Sequence, residues 1–322
     1  MHLSRFEETV NGWGDQRIPF LFMVDFEMNS PAAFMLDQVP DSVLFDVNGI
    51  SNFQGGKNIS VAPGMIRKPI SREAYRRKFS DVYCHLERGD SYLTNLTIKS
   101  EISLESSLQD LFISSHARYK LLVNDLFLVF SPETFVRIRD NRIYSYPMKG
   151  TINAALPDAA EIILNDRKEL AEHVTIVDLI RNDLSQIAVD VQVTRFRYLE
   201  EIHTNHGHLF QVSSEIRGEL ESSWTKNIGS LLLRLLPAGS VSGAPKPRTL
   251  EIIRHAEGED RGFYTGVFGI FDGNTLDSGV MIRFIEKQNG KLFYRSGGGI
   301  TTQSMWEAEY QEAIDKIYVP VN

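Results

Sequence analysis

The stretch YTGVFGIFDGNTLDSGVMIRFIEKQNGKLFYRSGGGI, residues 264–300, decides the fold class. It divides into three runs rich in Val, Ile, Phe and Tyr: YTGVFGIFDGN, LDSGVMIRFIEKQNG and KLFYRSGGGI. Asn289-Gly290 is a two-residue hairpin signal, because both residues tolerate the positive φ that such a turn requires, and Asp272-Gly273-Asn274 marks the preceding turn. The pattern predicts an antiparallel meander. LFLVFSPETFVRIRDNRIYSYPM, 126–148, reads the same way, with a turn at Asp140-Asn141. Helical periodicity fills the spaces between these clusters at 165–187, 224–236, 247–256 and 304–317. Antiparallel strands in clusters, with helices between clusters, predict an α+β fold and not a parallel doubly wound sheet.

Upstream, SREAYRRKFSDVYCHLERGD opens at Ser71, a plausible helix N-cap, and starts the main body. Residues 1–70 are turn-rich and lack a long amphipathic pattern, so the expected division is a reduced N-terminal segment, 1–70, packed on a catalytic domain, 71–322. The 322 residues are 42% hydrophobic and 24% charged, enough to bury a large core. A net charge of -8 argues against a nucleic-acid partner, which calls for a basic excess. Cys84 is the only cysteine, which excludes an internal disulfide framework or a cysteine zinc site. IPFLFMVDF, 18–26, is too short to span a bilayer. A cytoplasmic protein without membrane contact is expected, and the Asn-x-Ser/Thr matches at Asn58 and Asn95 are read as chance.

Four segments could carry chemistry. In NDRKELAEHVTIVDLIRNDL, 165–184, Leu170, Val174, Val177 and Leu184 recur at helical intervals while Glu169 and Glu172 lie one turn apart on a shared face. In SMWEAEYQEAIDK, 304–316, Ser304 and Glu307 make a capping-box pattern and leave Glu309 and Glu312 one turn apart beyond it. Each pair is either a solvated acidic turn or half of a four-carboxylate set, which would need a hard cation such as Mg²⁺ among its oxygens. The loop PAGSVSGAPKPRT, 237–249, offers either tight geometry alone or backbone amides for an anion, and is not a Walker A loop; the three glycines of RSGGGI, 295–300, allow either a bulge or close approach of a ligand. Arg283, inside the apolar run VMIRFI, is expected on alternation to share a face with Met281 and Ile285. It either pairs with a structural acid or holds a substrate carboxylate.

Lys149 is the sharpest feature. It stands in YPMKGT, between a proline that restricts the chain and a glycine that frees it, and desolvation there would lower its pKa and make the amine a nucleophile or base. Glu133, in FSPETF on the preceding strand, is its candidate acid partner. Tyr264 and His208 are candidates only by company.

SPETF, PMKGTI, DRKELAEHVTIVDLIRNDL, LPAGSVSGAPKPRTLEII, GFYTGVFGIF, SGVMIRF, SGGGI and EAEYQEAIDK occur in an order that resembles the chorismate-utilising enzymes, over roughly residues 71–322. The resemblance implies two β layers wrapped by helices around a deep cleft. Within that family the lysine of P-x-K-G-T marks the aminodeoxychorismate synthases, where anthranilate synthases usually carry alanine. It implies that Lys149 attacks C2 of chorismate as the C4 hydroxyl departs, that ammonia then adds at C4, and that Glu133 is the general acid. It further implies Mg²⁺ held by the set Glu169, Glu172, Glu309 and Glu312, with Tyr264 and Arg283 on the enolpyruvyl carboxylate. Backbone at Gly243, Ala244, Gly297 and Gly299 would line the pocket, and His208 would lie near the departing hydroxyl. Ammonia would come from a separate glutamine amidotransferase subunit. Leu93 stands where the family usually has glutamine, or a water-activating lysine in the isochorismate and salicylate synthases, which disfavours water as nucleophile. The long N-terminal domain and its tryptophan-binding motif have no clear counterpart. The competing expectations are anthranilate synthase component I and a non-catalytic scaffold.

Overall fold

The computed structural model describes residues 1–53, 64–204 and 207–320. Two nine-stranded sheets, in which every pairing is antiparallel, lie face to face between outer layers of helices. One sheet runs in the order Met148–Asn153, Gly207–Glu219, Arg142–Ser145, Thr134–Arg139, Leu276–Val280, Val267–Phe271, Phe20–Val24, Ala32–Met35, with Val189–Thr204 also paired to Gly207–Glu219. The other runs Gly243–Ala244, Leu93–Leu104, Lys291–Ile300, Phe284–Gln288, Phe127–Ser131, Tyr119–Val123, Val43–Val47, Ile50–Ser51, with Met65–Lys68 beside Leu93–Leu104.

Strand chemistry explains the layers. Along FLFMV, 20–24, Phe20, Phe22 and Val24 enter one core with the outer helices, while Leu21 and Met23 enter the core between the sheets. Both faces are dry, so the run is apolar throughout rather than alternating. Each such aromatic or aliphatic side chain contributes about 1.5–3 kcal/mol by burial. Leu122, Leu128 and Phe130 do the same on the far side of the second sheet, beneath the helix Leu108–Ser114.

The meander differs from its sequence reading in one respect. LDSGVMIRFIEKQNG is two strands, Leu276–Val280 and Phe284–Gln288, and the chain passes from the first sheet to the second between them. Arg283 sits in that passage with φ +53°, outside any strand, so it does not continue the alternation of Met281 and Ile285. Phe127–Ser131 and Thr134–Arg139 repeat the device, and Glu133 lies in their passage instead of on a strand. The turns at Asp140-Asn141 and Asn289-Gly290 have the expected positive φ at both residues.

The first 70 residues are not a segment packed on the body. Phe20–Val24 hydrogen-bonds to Val267–Phe271, and Val43–Val47 to Tyr119–Val123, so the N-terminal part supplies strands to both sheets. The helix Leu3–Asp15 buries Phe6 and Val10 against Ile228–Leu235. Ser71 caps the helix Arg72–Glu87 by accepting from the Ala74 amide at 3.2 Å. Ser304 does not cap its helix: Met305 holds that position, and the Ser304 hydroxyl instead accepts from Thr301 N at 3.2 Å. Asn58 lies outside the described residues, and Asn95 is half-buried within Leu93–Leu104. Among the described residues no helix is long and apolar enough to cross a membrane.

Candidate active site

A cleft of about 850 Å³ opens between the edges of the sheets, floored by both sheet-to-sheet passages and walled by the helices Arg167–Leu184 and Trp306–Asp315. It brings together Lys149, Glu133, Tyr264, Arg283, Gly243, Gly297, Gly299, Glu169, Glu172, Glu309 and Glu312.

The 167–184 helix begins at Asp166, whose Oδ1 accepts from the Glu169 amide at 3.0 Å. That cap fixes the first turn and aims Glu169 and Glu172 at the cleft. The buried stripe of this helix carries His173, Ile176, Val177, Ile180 and Leu184, whereas Leu170 and Val174 of the expected face are 36% and 47% exposed. Glu172, 7% exposed, accepts from Lys149 Nζ at 2.8 Å. Glu309, 4% exposed, comes from the opposite helix and accepts from Lys168 Nζ at 3.3 Å, and the same ammonium lies 3.8 Å from Glu172. A buried carboxylate is costly unless paired, and each of these has its cation. Glu312 pairs with Lys316 at 2.5 Å, and Lys316 also donates to Gly297 O at 2.9 Å.

The charge states follow. Burial opposes the Lys149 charge, but the carboxylates of Glu172, Glu312 and Glu169 outweigh it and hold the ammonium above its ordinary range. The fall expected from desolvation alone is therefore not found. Burial pushes Glu133 up against a Ser240 hydrogen bond and the charges of Lys149, Arg283 and Lys316. Burial and neighbouring Glu172 raise Glu169. Burial also pushes the Tyr264 phenol up to about 12.

The Arg283 guanidinium makes no ion pair among the described residues, its buried Nε has no hydrogen-bond partner, and it lies over the Tyr318 ring, 5.0 Å from its centre. Arg283 is thus a half-buried cation on the cleft wall without an ion-paired acid among the described residues. The glycines are equally informative. The strand Lys291–Ile300 keeps unbroken register through its three glycines, so they form no bulge. A Cβ on Gly299 would stand 3.4 Å from Lys149 Nζ and 3.0 Å from Leu93, and one on Gly243 would clash with the Leu93 carbonyl. Their absence of side chains lets the cleft reach the lysine.

Two expected residues lie elsewhere. His208 is 57% exposed at its side chain, pairs with Glu201 at 3.1 Å, and does not line the cleft. Gln211, three residues on along the same strand, takes the place inside the cleft. Ala244 also falls outside the lining: its carbonyl accepts from Tyr92 N at 2.8 Å and Ser91 Oγ at 2.9 Å. Conversely, Lys168, Lys316 and Ser240 went unread in the sequence, where each is an ordinary polar residue beside a stronger motif.

The carboxylate set of the cleft is Glu169, Glu172, Glu309 and Glu312. Its oxygens come from two helices, and the Lys168 ammonium between Glu172 and Glu309 shows that positive charge is accommodated there. Among the described residues no three such side chains converge on one point.

The chain is 50% identical over 323 residues to an uncharacterized PabA-like protein of Pasteurella multocida, covering 100% of both chains. It is 32% identical over 265 residues to aminodeoxychorismate synthase component 1 of Escherichia coli, covering 77% of this chain and 57% of that protein. A solved structure from Bacillus anthracis, described as a 2,3-dihydroxybenzoate-specific isochorismate synthase, superposes with a TM-score of 0.73 at 21% identity, over 98% of this chain and 88% of that one. The profile of the chorismate binding enzymes matches residues 52–322. With the fold, the cleft and that match in agreement, the chain belongs to the family of chorismate binding enzymes.

Proposed function

We propose that the protein aminates chorismate at C4, with ammonia as nucleophile, to give 4-amino-4-deoxychorismate. The observation that carries this reading is the placement of the Lys149 amine inside the cleft, beside Gly299 and opposite the acid Glu133. Arg283 and Tyr264, which both line the cleft, would hold a carboxylate of the substrate. Neutral Lys149 attacks C2 while the two conjugated ring double bonds shift toward C4 and the C4 hydroxyl leaves as water, taking its proton from Glu133. Ammonia then adds at C4, both double bonds shift back and the C2–N bond to Lys149 breaks. Amination loses one proton and the amine regains its own.

Mg²⁺, held by the set Glu169, Glu172, Glu309 and Glu312, would supply a charge for the ring carboxylate and neutralise the carboxylates that now keep Lys149 protonated. Leu93, buried against Gly299, places an apolar group where a base would be needed to activate water. Ammonia is drawn from a separate glutaminase subunit, since the single cysteine, Cys84, lies exposed on the 72–87 helix away from the cleft. Anthranilate synthesis is the competing reading, and Lys149 in place of alanine disfavours it. Incubation with chorismate, Mg²⁺ and ammonium, followed by mass identification of the product, decides between them. Anthranilate, isochorismate or no turnover by folded protein supplied with an amidotransferase overturns the proposal.

A further inference from the structure

The loop 237–245 borders the cleft, and one of its side chains reaches the acid directly. Ser240 Oγ donates to Glu133 Oε1 at 2.5 Å. The backbone of Glu133 is already tied: its carbonyl accepts from Val280 N at 3.1 Å and its amide donates to Ser131 Oγ at 3.1 Å. Only the side-chain torsions remain free. Ser240 is itself held in a single turn, Gly239–Val241, where Val241 O accepts from the buried Arg261 at 2.7 Å and Ser242 Oγ donates to Ala238 O at 3.0 Å.

We propose that Ser240 is a positioning residue which, by occupying Oε1, keeps the transferable proton of Glu133 on Oε2 and aims it at the departing hydroxyl. This rests on the role given to Glu133 above. Three charged groups face Glu133: Lys149 from Met148–Asn153, Arg283 from the passage between the sheets, and Lys316 from the end of the 306–315 helix. All three favour the carboxylate, as does the serine hydroxyl, whereas burial favours the neutral acid. Removing the hydroxyl therefore makes the acid easier to keep protonated while releasing its orientation.

The test compares wild type, Ser240→Ala and Ser240→Thr across pH, with total ammonium adjusted to hold free ammonia constant. Ser240→Ala is expected to lower kcat about tenfold, as lost orientation does, with KM for chorismate little changed. Its alkaline limb should move up by about one pH unit, the effect of one lost hydrogen bond to a charged oxygen. Ser240→Thr, which keeps the hydroxyl, restores both the rate and the limb. A limb that coincides with wild type in Ser240→Ala, or a Ser240→Thr enzyme no better than alanine, overturns the inference. Product identity in the wild-type arm separately tests the amination reading.

Discussion

Lys149 Nζ donates a 2.8 Å hydrogen bond to Glu172 Oε2, joining the expected nucleophile to an expected metal ligand. The contact keeps the lysine charged and the buried carboxylate paired, so the resting amine is not nucleophilic. Removing Lys149 leaves the buried Glu172 with only the more distant Lys168 ammonium, 3.8 Å away.

Lys149→Ala should therefore lose amination by at least about a hundredfold, the usual scale for a lost covalent or acid–base group. Chorismate binding, followed by calorimetry, should persist because Arg283 and the glycine-lined strand remain. An unchanged rate would exclude covalent catalysis through this residue.

Glu172→Gln is expected to weaken Mg²⁺ binding in the presence of chorismate and to free Lys149 of its strongest partner. Titration calorimetry with Mg²⁺ reads the first effect without reference to turnover. A wild-type isotherm would remove Glu172 from the metal set.

The pH dependence has a defined sign. Burial raises Glu133, and the reaction uses its protonated form, so activity is retained below that raised value and lost as pH rises through it. Glu133→Gln, which cannot deliver the proton, should reduce kcat by about 10²- to 10⁴-fold. Retention of the same alkaline limb in that variant would assign the limb to another group.

Leu93→Lys places an amine beside Gly299, on the cleft side of Leu93–Leu104. Water addition should then compete with amination, and isochorismate should appear when products are separated by liquid chromatography at low ammonia. Its complete absence in a folded variant would show that the side chain at 93 does not select the nucleophile.

Arg261 and Glu257 form a buried pair at 2.6 Å that also grips Val241 O, Asn95 O and the Thr97 amide, tying the 237–245 loop to the second sheet. Glu257→Gln should destabilise the fold by about 3–5 kcal/mol, because it strands a buried guanidinium. Urea denaturation measures it, and a loss below 1 kcal/mol would mean that the pair behaves as a surface bridge.

The strands, their hairpin turns, the helix that starts after Ser71 and the two Glu-x-x-Glu pairs were legible along the chain because each depends on periodicity or on a few adjacent residues. Lys149 was legible for the same reason, framed by Pro147 and Gly150. What tertiary structure decided was everything set by distance across the fold. Arg283 proved to lie in a passage between sheets, without an ion-paired acid among the described residues, and His208 fell outside the cleft while Gln211 entered it. Lys149 looked set for a lowered pKa by burial, yet carboxylates 20 and more residues away hold it high, since Coulomb interactions follow space and not sequence.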